Sequence, residues 1–150
     1  MNKLLLIAAF FLGTQIFVSC SKNEASKTKE ELLTMGGWRL DSKQTRISSS
    51  ATWTDITSTI PACKKDDITS YINPSGYTIT EGASKCNAAN PDLVATGSWA
   101  LVNNKEDLKI TIGANSITYN LFLVTENALT IDETDASGIV VTYNRYLYVH

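Results

Sequence analysis

From Trp38 to the end of the chain the apolar residues alternate with polar ones. Trp38 and Leu40 share one parity while Arg39 and Asp41 take the other. The same two-residue period returns in Leu108-Ile110-Ile112, in Ile117-Tyr119-Leu121-Leu123, in Leu129-Ile131, and in Ile139-Val141-Tyr143-Arg145-Leu147-Val149. Such alternation belongs to strands with one face buried, and no helical period persists beyond Gly37. Turn-forming clusters separate the runs: Ser48-Ser49-Ser50, Asn73-Pro74-Ser75-Gly76, Asn103-Asn104, Gly113-Ala114-Asn115, Glu126-Asn127 and Ala136-Ser137-Gly138. With further strands over 67–72, 77–81 and 97–102, the count is about eight. Residues 53–58 are poorly patterned, and the pairing of residues 48–66 stays open. Connections this short favour antiparallel neighbours. An all-β, up-and-down antiparallel barrel removes the exposed edges, with a β-sandwich as the alternative.

The start of the chain differs. Met1-Asn2-Lys3 is a short basic opening, followed by an apolar run over 4–12 that Thr14 and Gln15 break too early for a membrane span. This layout predicts a secretory signal peptide over residues 1–19. Phe17-Val18-Ser19-Cys20 looks like a lipobox, which makes Cys20 the expected lipidation site. Residues 20–28 are small, polar and charged, and predict a flexible tether. Thr28, with Glu31 three positions on, predicts the capped start of a short helix that Gly36-Gly37 ends. The folded domain is then expected over 29–150.

With Cys20 lipidated, Cys63 and Cys86 remain as a pair in an oxidising compartment, and a structural disulfide is expected. It would close a loop of about two dozen residues and contribute about 3 kcal/mol. A metal or redox pair would want a C-x-x-C spacing or a nearby histidine. The single histidine is His150, the last residue, which leaves triad and multi-histidine metal chemistry without their parts. The acidic pairs Glu30-Glu31, Asp66-Asp67, Glu106-Asp107 and Asp132-Glu133 read as solvated loop carboxylates, because adjacent strand residues point to opposite faces. Thirteen basic against fifteen acidic residues lack the footprint of a nucleic-acid binder. No enzyme activity, cofactor or metal is expected.

Gly36-Gly37-Trp38 enters the first strand behind a short helix, and Arg145 lies in Tyr143-Asn144-Arg145-Tyr146 on the last. Together with the lipobox, Cys63, Asn73-Pro74-Ser75-Gly76-Tyr77 and Gly97-Ser98-Trp99, in this order, the chain resembles the small lipocalin-like lipoproteins of Gram-negative bacteria. The resemblance runs over roughly residues 30–149. It implies an eight-stranded calyx closed at its lower end by Trp38, with Arg145 packed across the indole. A cation–π contact gives the same expectation for an Arg that shares a face with Val141, Tyr143 and Leu147. An internal anchor for a carboxylate ligand is the other use such an Arg could have. The resemblance does not name a ligand, and the chain lacks the C-terminal helix of the longer animal lipocalins.

The expected function is that of an envelope lipoprotein, held on the outer membrane by the lipid on Cys20, that binds a small hydrophobic or amphipathic molecule. Its lining would be Leu108, Ile110, Ile117, Tyr119, Leu121, Leu129, Ile131, Val141 and Tyr143. The alternative is a filled barrel whose loops, 48–66 and 82–96, hold a protein or glycan.

Overall fold

The computed structural model describes residues 26–150; the expected signal peptide and Cys20 lie outside them. Thr28 caps helix α1 (Lys29–Leu33) in a full capping box: its hydroxyl accepts from the Glu31 N–H, and the Glu31 carboxylate accepts from the Thr28 N–H at 2.7 Å. One residue earlier, Lys27 pairs with Glu126 at 2.7 Å. The folded domain therefore begins inside the stretch expected to be tether.

Eight strands form the barrel: β1 (Gly37–Arg46), β3 (Ile68–Ile72), β4 (Gly76–Thr80), β5 (Leu93–Val102), β6 (Asp107–Ile112), β7 (Asn115–Val124), β8 (Ala128–Asp135) and β9 (Thr142–Val149). Each pairs antiparallel with the next, and β9 returns to β1 from Arg39↔Val149 to Arg46↔Tyr143. That closure excludes the sandwich. A two-residue strand, β2 (Thr54–Asp55), lies on β1 where β3 has not yet begun. A 3-10 turn (Thr57–Thr59) and a one-turn helix, α2 (Ala62–Lys65), complete the passage to β3. Cys63 on α2 is disulfide-bonded to Cys86 in the β4–β5 loop, with a Cα–Cα distance of 5.1 Å.

Two strands run longer than their sequence pattern. Residues 93–96 belong to β5, where a register shift opposite Ile79 and Thr80 inserts an extra residue and breaks the alternation. The expected 82–96 loop therefore ends before Leu93. β8 continues through Asp132-Glu133-Thr134, whose polar character hides a strand. Gly113, at φ +59°, makes the β6–β7 turn in a conformation that favours glycine.

One end of the barrel is sealed. Leu33 and Trp38 are fully buried and pack with Tyr71, Trp99, Leu108, Leu121 and Leu129. The Trp38 indole donates to the Leu33 carbonyl at 3.0 Å, joining α1 to β1. His150 stacks on Trp38 with ring centroids 3.9 Å apart, and its Nδ1 lies 3.0 Å from the Gly37 carbonyl oxygen.

Arg145 is not on Trp38. The β1–β9 register sets it opposite Gln44, far along the strand from the indole. Its Nε and Nη2 donate to the two oxygens of Asp132, both at 2.7 Å. The guanidinium lies 4.6 Å from the Trp53 ring centroid and 4.2 Å from that of Phe122. Arg46 also stacks on Trp53 and on Tyr143, which extends an aromatic–arginine ladder over the outer wall. The expected contact fails because Arg145 faces outward, on the side of the wall away from the packed interior.

Candidate functional site

The parity of β9 decides what the interior contains. Tyr148 pairs with Leu40 and Leu129, and Tyr146 with Lys43 and Ile131, so Asn144, Tyr146 and Tyr148 point inward. Tyr143, Arg145, Leu147 and Val149 occupy the outer face, although theirs is the more apolar alternation. Tyr143 is therefore not a lining residue. Val141 is not one either: it precedes the strand and is 41% exposed.

At the end opposite Trp38 the barrel opens into a cleft of about 360 Å³. Its walls are Tyr77 and Ile79 of β4, Ile110 and Ile112 of β6, and Asn115, Ile117 and Tyr119 of β7. Ile79, Ile112, Asn115 and Ile117 lie toward the open end of their strands, with Tyr77, Ile110 and Tyr119 one inward step deeper. The wide tyrosine rings form its floor. Three expected lining residues, Ile110, Ile117 and Tyr119, take part. Leu108, Leu121, Leu129 and Ile131 share their parity but lie deeper, in the packed core at 4% exposure or less. They support the cleft from below. Tyr77, Ile79, Ile112 and Asn115 were not expected, although alternation along β4, β6 and β7 carries the signal for each.

Across the lumen the wall is polar. The Tyr146 hydroxyl donates to Glu133 at 2.8 Å, and the Lys43 ammonium sits 4.8 Å from the Tyr146 ring centroid. Tyr119 meets Tyr146 edge-on at 6.1 Å, which joins this wall to the cleft. Burial, reinforced by the Glu133 charge, pushes the Tyr119 hydroxyl up to about 12. Burial and the bond to Glu133 drive Tyr146 well above the ordinary tyrosine range. Both remain hydrogen-bond donors across the physiological range and do not act as bases there.

The Asp132-Glu133 pair is therefore not a pair of solvated loop acids. It lies within β8, with Asp132 turned out to Arg145 and Glu133 turned in to Tyr146. Among the described residues, no group of three His, Cys, Asp or Glu side chains is placed to hold a metal ion. The arrangement suits non-covalent binding, with one apolar wall, one polar wall and an opening to solvent. No protein family model matches the chain, and no curated protein matches it.

Proposed function

We propose that this protein is a lipid-anchored envelope lipoprotein whose barrel binds one small amphipathic molecule in its open end. The observation that carries this reading is the apolar cleft of about 360 Å³ between β4, β6 and β7. It lies at the lower end of the range in which small-molecule sites fall. Three isoleucines of its wall, Ile79, Ile112 and Ile117, are incompletely buried, and Ile117 is 45% exposed. A ligand that covers them gains about 25 cal/mol for each Å² of apolar surface removed from water. A barrel packed to its rim, as the loop-binding alternative requires, would leave no such surface inside. The function proposed is carriage or sensing, without catalysis.

The test is native mass spectrometry of the full chain after incubation with a bacterial envelope lipid extract. A stoichiometric adduct is expected on the wild type. It should be lost in Ile117→Trp, which fills the cleft from its rim and leaves the core below intact. An adduct unaffected by Ile117→Trp, or no adduct at all, would refute the cleft as the binding site. The anchor is tested separately by the intact mass of the membrane-fraction protein, which should begin at a diacylglyceryl-modified Cys20. Cys20→Ser should release the protein from the membrane.

A further inference from the structure

We infer that the cleft takes a cationic ligand, an ammonium carried on a small apolar body, with Glu81 as the counter-ion; this rests on the cleft being a ligand site. Glu81 follows Tyr77 and Ile79 on the inward parity of β4, and its N–H donates to the Asp92 carbonyl at 2.7 Å, continuing the ladder past Thr80. That parity sets it on the lumen side about 7 Å beyond Ile79, next to the cleft and outside the residues that line it. Glu81 is only 9% exposed, and its Oε2 is sealed from solvent without a hydrogen-bond partner. Among the described residues, no Lys, Arg or His lies within ion-pair distance of it. A buried carboxylate oxygen left unpaired is costly, and a protein retains one where something else supplies the donor.

A second carboxylate stands beside it. One step beyond the Ile68↔Thr80 pair, the β3–β4 register sets Asp67 opposite Glu81, at a Cβ separation of about 5 Å. Asp67 Oδ1 is also buried and unpartnered, while its Oδ2 accepts from Lys64 at 3.3 Å. Lys64 thus answers one of the two charges, and Glu81 is the one left over. Gly82 permits the arrangement, because a Cβ there would run into the Asp66 carbonyl where β3 and β4 meet. On the far wall the charges already balance, with Lys43 on Tyr146 and Tyr146 on Glu133. The uncompensated charge of the lumen is therefore negative, and it adjoins the isoleucine wall.

The test uses three probes of one size and shape, differing in head-group charge: phenethylamine, phenethyl alcohol and hydrocinnamate. Each is titrated calorimetrically into the full chain. The amine is expected to bind at least about ten-fold tighter than the alcohol, and hydrocinnamate weakest. In Glu81→Gln the preference for the amine should fall below about two-fold, with alcohol affinity unchanged. Near-ultraviolet circular dichroism checks that the variant is folded; if it is not, the ranking on the wild type decides. An alcohol that binds as tightly as the amine, a preference for hydrocinnamate, or an amine preference that survives Glu81→Gln would overturn the cationic ligand while leaving the cleft as a site. Failure of all three probes to bind would remove the site itself.

Discussion

Replacing Arg145 by methionine removes three contacts at once and keeps most of the side chain's apolar volume. The pair with Asp132 is bidentate, at 18% and 22% side-chain exposure. At that partial burial its charge-assisted hydrogen bonds contribute about 1–2 kcal/mol. The stacks on Trp53 and Phe122 add about 0.5 kcal/mol each. Arg145→Met should therefore cost about 2–3 kcal/mol, which moves the urea midpoint by more than about 1 M for a domain of this size. A double-mutant cycle separates the partners, with unfolding followed by far-ultraviolet circular dichroism. Arg145→Met with Asp132→Asn should couple by about 1–2 kcal/mol. Arg145→Met with Trp38→Phe should be additive within about 0.5 kcal/mol, because Gln44, the residue facing Arg145, lies about 20 Å along β1 from Trp38. Coupling above about 1 kcal/mol between Trp38 and Arg145 would refute both the register and the outward placement of Arg145.

Three more outcomes follow from the same geometry. His150→Ala uncovers one face of Trp38 at the sealed end and should cost about 1 kcal/mol, read as a lowered Tm and a red-shifted tryptophan emission. The double variant Cys63→Ser, Cys86→Ser opens a loop of 23-residue separation. The unfolded chain then regains about 3 kcal/mol of entropy, and calorimetry should show Tm lower by about 10 °C. The third concerns alkaline pH. Burial is the first cause of the raised hydroxyls of Tyr71, Tyr77, Tyr119, Tyr146 and Tyr148. A folded-state value above the unfolded one stabilises the fold fully below about pH 10, and that stability is lost as pH rises through the folded value. For Tyr119 the window runs from 10 to about 12. Tyrosinate absorbance should then grow together with loss of near-ultraviolet circular dichroism, and ionisation of all six tyrosines while the fold persists would contradict the burial argument.

Much of this architecture is legible before folding. The capping box at Thr28 and Glu31 is complete within four residues, and the structure contains it as expected. The β6–β7 hairpin is equally local, from Leu108-Ile110-Ile112 through the Gly113 turn to Ile117-Tyr119-Leu121. The Cys63–Cys86 bridge followed from cysteine number and compartment, and the two residues are joined. The cleft was half legible. Ile110, Ile117 and Tyr119 were identified by parity within their own strands, and the same parity ran on to Ile112 and Asn115 and, on β4, to Tyr77, Ile79 and Glu81. Glu133 was read as a solvated loop acid, yet it turns inward to Tyr146, and Glu81, at the end of an expected strand, is buried as well.

By itself, then, the chain determined its strands, its turns, its capped helix and its disulfide, because each depends on neighbours in sequence or on a count of cysteines. Period-two alternation creates two faces but does not say which one meets the barrel axis. In β9 that choice fell to the tertiary structure, when pairing with β1 on one side and β8 on the other turned Tyr146 and Tyr148 inward and Arg145 out. Extra residues at Asp41 of β1, Val94 of β5 and Phe122 of β7 compound this, since each shifts the parity of the rest of its own strand. The partner of Arg145, the charge of the lumen and the depth of the cleft all follow from closure, because each joins residues that only the completed ring of strands brings to one height on one wall.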